Sequence, residues 1–110
     1  MNYLTRSEEY ILLAIWRLQG DAYTLPLQKR LSESTGRKWS LSSIYAPLER
    51  MEKKYMIEST LSEARPERGG RPKRIYTLTP TGKRALLEIS RIGKSMWEGV
   101  TESALTEAGK

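Results

Sequence analysis

A chain of 110 residues has room for one domain with a modest core. Its 38% hydrophobic and 29% charged residues fit a globular protein rather than a disordered one. The absence of His and Cys removes the commonest general base, the thiol nucleophile, the usual zinc ligands and any disulfide. Neither catalysis nor a metal or cofactor is therefore expected. The longest apolar run, Tyr10 to Trp16, is seven residues, too short to span a bilayer. Met1-Asn2-Tyr3 opens no charged-then-apolar leader, so the expected location is cytoplasmic. Nineteen Lys+Arg against 13 Asp+Glu give a formal charge of +6, a balance that suits a polyanionic partner.

Thr5 and Glu8 have the spacing of a capping box and announce a first helix running to Leu18 or Gln19, where Gly20 ends it. Ile11, Leu12, Leu13, Ala14, Ile15, Trp16 and Leu18 cover most of its circumference. A helix apolar on so many sides needs burial on more than one face, part of it against another subunit. A second helix is expected over Leu25–Ser34, with Thr24 as N-cap, Pro26 in its first turn, Gly36 as its stop and Leu27 and Leu31 as a narrow apolar stripe.

Arg37-Lys38-Trp39 leads to a third helix capped by Ser40. Leu41, Ile44, Leu48, Met51 and Tyr55 recur at spacings of three and four and form one apolar stripe. At about 100° per residue the opposite face presents Ser42, Ser43, Ala46, Arg50 and Lys53, with Tyr45 at the boundary. Small hydroxyl residues followed by cations suit entry into a DNA major groove, and they also suit an ordinary solvated face. Pro47 should bend this helix near Ser43.

From Ile57 the pattern becomes extended, with Ile57, Ser59 and Leu61 alternating with Glu58, Thr60 and Ser62. Arg65 to Pro72 holds two prolines and Gly69-Gly70 and reads as a loop, and Arg74 to Leu78 is the returning strand. Arg65, Arg68, Arg71, Lys73 and Arg74 crowd this hairpin, opposed only by Glu67. Thr79-Pro80 then starts a last helix, on which Leu86, Ile89, Gly93, Met96 and Val100 have the spacing of a packing seam. Residues 101–110 read as a flexible tail. The order helix, helix, helix, strand, basic loop, strand, helix is mainly α with a small β-hairpin. It is a winged helix-turn-helix over residues 1–79, followed by a last helix over 80–100.

Two stretches resemble the PadR family of bacterial transcriptional regulators. Gly69-Gly70-Arg71-Pro72-Lys73-Arg74-Ile75-Tyr76-Thr77-Leu78-Thr79-Pro80-Thr81-Gly82 is similar to the family's wing, with glycines and Arg-Pro at the turn and Tyr-x-Leu-Thr-x-x-Gly opening the last helix. Ser43-Ile44-Tyr45-Ala46-Pro47-Leu48-Glu49-Arg50-Met51-Glu52 is similar to its recognition helix, proline included. The resemblance implies a homodimer that binds double-stranded DNA at an inverted repeat and usually represses transcription. It implies that Ser42, Ser43 and Tyr45 lie near the major groove, while Arg71 and Lys73 carry the wing to the backbone or minor groove. Lys38, Ser40, Arg50, Arg68 and Arg74 complete the expected DNA-binding set.

In the family the last helix packs on the first helix of the other subunit. That assigns Leu12, Ile15 and Trp16 with Ile89, Ile92, Gly93, Met96 and Trp97 to a dimer interface. Some relatives hold a flat hydrophobic effector there, for which Trp16, Met96 and Trp97 are the candidates here; plain interface packing explains Trp97 as well. The single C-terminal helix resembles the compact branch of the family. One departure is Tyr55, where the family commonly has a glycine ending helix three, and a left-handed residue other than glycine costs about 1 kcal/mol. A protein-interaction module whose wing meets an acidic partner, without DNA binding, is the alternative reading.

Overall fold

The structure, a computed structural model, describes residues 4–62 and 72–107. The wing tip, with Arg65, Arg68 and Arg71, lies outside the described residues, as do residues 1–3 and 108–110. Among the described residues five helices and one hairpin follow in order: α1 (Arg6–Arg17), α2 (Thr24–Thr35), α3 (Leu41–Lys53), β1 (Ile57–Leu61), β2 (Arg74–Leu78), α4 (Pro80–Trp97) and α5 (Glu102–Glu107). No helix among the described residues is long and apolar enough to cross a membrane.

The sequence signals for helix starts hold at three of the four longer helices. Thr5 accepts from the Glu8 N–H at 3.1 Å while the Glu8 carboxylate accepts from the Thr5 N–H at 2.9 Å, closing the capping box. Ser40 caps α3 by accepting from the Ser43 N–H at 3.1 Å, and Thr79 caps α4 by accepting from the Gly82 N–H at 3.1 Å. At α2 the expectation is corrected, because Thr24 is the first helical residue and Tyr23 occupies the cap without a side-chain bond. Ala22 accepts from the Tyr76 N–H at 2.9 Å, which pulls the chain onto the hairpin just before Tyr23 and starts the helix there.

The core is one cluster in which Ile11, Leu12, Ala14 and Ile15 of α1 meet Leu27 and Leu31 of α2 and Ile44, Leu48 and Met51 of α3. Met56, Ile57, Tyr76 and Leu78 close it from the hairpin side. The antiparallel hairpin pairs Ile57 with Leu78 and Leu61 with Arg74. Only its base is buried, and Leu61 is exposed. α3 continues through Pro47, whose ring is buried.

Three sequence expectations change. Tyr55 is not part of the α3 stripe: it lies past the helix end, 78% exposed, and Met56 takes the inner position. Leu12 and Ile15 are 0% and 2% exposed within one protomer, so they are core residues rather than a surface left for a partner. Beyond Val100 the tail contains α5, a short helix with no buried residue.

The junction joining α3, hairpin and α4 is tightly tied. Tyr55 sits at φ +60, the strained conformation that the missing glycine foreshadows. Its carbonyl accepts from the Thr79 hydroxyl at 2.5 Å, and the Met56 carbonyl accepts from the Thr79 N–H at 3.1 Å. A Cβ on Gly82 would overlap that Met56 carbonyl, so only glycine lets α4 approach so closely. The Thr-x-x-Gly stretch of the sequence is thus the clamp that sets the angle of α4 on the body. Ala85 and Leu86 add apolar contact, and the rest of α4 leaves the core behind.

Candidate nucleic-acid interface

The turn before α3 is held from within. Trp39, 6% exposed, donates from its ring nitrogen to the Thr35 hydroxyl at 2.9 Å, and that hydroxyl donates to the Leu31 carbonyl at 2.7 Å. Gln28 donates to the Trp39 carbonyl at 2.7 Å. A turn with its indole buried and its polar atoms paired fixes the direction in which α3 leaves α2. In sequence Trp39 stands in a linker, although a Trp between two helices is a good anchor candidate on size alone.

Helix α3 then presents Ser42, Ser43, Tyr45 and Ala46 to solvent, with Tyr45 49% exposed. Ser43 also donates to the Ser40 carbonyl at 2.7 Å, and the Ser40 and Ser42 hydroxyls share a bond at 3.2 Å. There is no acidic residue in the first turn. The positive end of the helix dipole therefore faces out unopposed, beside hydroxyls able both to donate and to accept. The carboxylates of this helix lie further along, where Glu49 meets Lys53 at 3.5 Å and Glu52 accepts from the Ser59 hydroxyl at 2.9 Å. The half of α3 that suits a polyanion is its N-terminal half.

The other expected residues separate into groups. Lys38 and Ser40 are exposed at the α2–α3 groove, together with Lys29, which the sequence reading missed because α2 was read only for its apolar stripe. Lys73 is exposed just before β2, its ammonium 4.8 Å from the centre of the Tyr23 ring. Arg74 donates to the Ser59 hydroxyl at 2.9 Å and so joins the chain that ends on Glu52. Arg50 donates to the Glu8 carboxylate at 3.3 Å, and that carboxylate is 3% exposed. No local spacing signals this pairing, 42 residues apart, which ties α3 to the capping box of α1.

On the assigned interface side, Trp16, Ile92, Met96 and Trp97 are 52%, 44%, 74% and 60% exposed, while Ile89 and Gly93 are half-buried. These residues leave an apolar face along α4 and the adjoining surface of α1 open to solvent in the single chain.

Three packed helices, a presented third helix and a two-stranded wing define the winged helix-turn-helix class of DNA-binding folds. Within that class the chain belongs to the PadR-like family of transcriptional regulators, whose family model matches residues 11–88. It is similar to a PadR family transcription regulator from Clostridium difficile, with 27% identity over 92% of this chain and 99% of that one, at a TM-score of 0.66. A PadR-like transcriptional regulator from Bacillus cereus is also 27% identical, over 94% and 91% of the two chains, at 0.67. RosR from H. salinarum, 20% identical over 96% and 88% at a TM-score of 0.67, shares the fold. A search of curated protein sequences gave no match.

Proposed function

We propose that the chain is a sequence-specific DNA-binding repressor that acts as a homodimer on an inverted-repeat operator. The observation that carries this reading is the carboxylate-free first half of α3, held outward by the buried Trp39 turn. Ser42, Ser43 and Tyr45 are small or flat enough to let the helix approach base edges, and they supply the donors and acceptors that read them. Lys38 and Ser40 on one side anchor phosphates, and Lys73, Arg74 and the sequence-placed Arg68 and Arg71 of the wing anchor them on the other. Arg50 belongs to the same face but reaches DNA only by giving up Glu8.

The open apolar face supports the dimer. In it, Ile89, Ile92, Gly93, Met96 and Trp97 of α4 pack on α1 of a second copy near Trp16, and the core residues Leu12 and Ile15 back that surface from beneath. In such a dimer the exposed Trp16, Met96 and Trp97 are the side chains on which a flat hydrophobic effector would act to release the DNA.

Selection of bound duplexes by the purified protein tests the operator, its symmetry and the half-site spacing together. Titration of the selected duplex against salt is expected to give a log-log slope of about −0.9 per phosphate neutralised. Replacing Arg71 and Lys73 by Ala should weaken selected and random duplexes alike, because backbone anchors carry no sequence information. If no duplex binds at any salt concentration, the wing serves an acidic protein partner instead.

A further inference from the structure

Two surfaces lack an occupant in the single chain, and their chemistries are complementary. One is a groove between α1 and α2 rimmed by Arg6, Arg17, Arg30 and Arg37, with Tyr10 and Leu13 on its floor. All four arginines are exposed. Arg6 meets the Tyr10 hydroxyl at 3.5 Å and Glu9 at 3.8 Å, and the other three form no salt bridge among the described residues. Leu13 is 41% exposed. Guanidiniums around a half-apolar floor suit an acidic segment with an apolar side.

The second surface is the end of the chain. Residues 98–107 carry Glu98, Glu102 and Glu107 and no cation, and Val100 and Leu105 are 41% and 53% exposed. Gly99, at φ +80, breaks the chain away from α4, and Thr101 caps α5 by accepting from the Ala104 N–H at 3.0 Å. A helix of six residues is far shorter than the 12 to 15 that are marginal alone in water, so this one needs a surface to hold it. Among the described residues none of its side chains is buried.

We infer that α5 of one copy docks in the arginine groove of a second copy, with its glutamates on the guanidiniums and Leu105 against Tyr10 and Leu13. This rests on the homodimer proposed above. The face of α4 formed by Arg84, Leu87, Arg91 and Lys94 is the competing acceptor, but it includes Glu88, whereas no carboxylate lines the groove.

The chain has no cysteine, so single introduced thiols report without background. Under mild oxidation a mixture of Ser34→Cys and Ala104→Cys copies is expected to form a linked pair, and about 1 M salt should lower the yield several-fold. In sedimentation, Glu102→Lys with Glu107→Lys should raise the dimer dissociation constant about tenfold at low salt, and Arg30→Glu with Arg37→Glu in the same chain should restore it. A sedimenting dimer that gives no link between positions 34 and 104 overturns the docking and leaves the dimer standing. A link from position 104 to Ser90→Cys on α4 overturns it in favour of the competing face. A monomer at every concentration overturns the dimer and the docking together.

Discussion

Replacing Arg50 by Ala separates a structural arginine from a DNA-contacting one. Glu8 is 2% exposed overall, and its carboxylate has two partners, the Thr5 N–H at 2.9 Å and the Arg50 guanidinium at 3.3 Å. Removing the guanidinium leaves a buried charge with a single neutral donor. Losing one partner of a fully buried pair costs about 3–5 kcal/mol, but the Arg50 side chain is 51% exposed and the pair is partly hydrated, so about 2 kcal/mol is expected. With a urea m-value of about 1.5 kcal/mol/M, the unfolding midpoint should fall by about 1.3 M. On a Glu8→Gln background the same replacement should cost less than about 1 kcal/mol, since no charge is then stranded. Duplex binding measured where both proteins are folded should keep its salt slope. A variant with an unchanged midpoint and a slope lower by about one phosphate would show that Arg50 serves DNA and that its bond to Glu8 is incidental.

Gly82→Ala should destabilise by about 1–3 kcal/mol in thermal or urea unfolding, because its Cβ meets a backbone carbonyl that cannot rotate away; a neutral result would refute the clamp. Tyr55→Gly should stay within about 0.5 kcal/mol of the parent, relief of left-handed strain being offset by a freer unfolded chain, whereas Tyr55→Val should cost more than about 1 kcal/mol. Equal stability of the two variants would contradict the strain. Burial, and then the charge of Glu52, raise the Tyr76 phenol above its ordinary value of 10.0. The neutral ring's contribution is therefore complete below pH 10 and lost as pH rises through the raised folded value. Tyr76→Phe should flatten the fall of the urea midpoint above about pH 10, and an unchanged fall would assign it to other groups.

Local chemistry made much of the fold readable. The capping signals at Thr5, Ser40 and Thr79 each satisfy a backbone N–H within three residues, so spacing alone reveals them. The hairpin and the start of α4 follow from alternation and from Thr-Pro in the same way. What sequence could not show depends on contacts far along the chain. Thr24 has the right chemistry for a cap, yet the bond between Tyr76 and Ala22 decides where α2 begins. Leu12 and Trp16 are equally apolar in sequence, but one faces its own core and the other faces solvent. The presented face of α3 was legible from helical arithmetic. The partners of Arg50 and Arg74 were not, because neither Glu8 nor Ser59 lies within a helical turn of them.

The clamp at Thr79 and Gly82 makes α4 a lever. Eighteen residues at about 1.5 Å each give it a length of about 27 Å, and among the described residues its grip on the body lies in its N-terminal half, where Thr79 is bonded to Tyr55 just past α3 and Ala85 and Leu86 pack on the core. Tilting such a rod by about 10° at a fixed far end would carry its near end, and the reading helix with it, through about 5 Å. In a dimer joined along the outer part of α4, the gap between the two reading helices would then be set by an angle between rods. A compound lodged near Trp97 would need no contact with DNA to spoil the match to two half-sites.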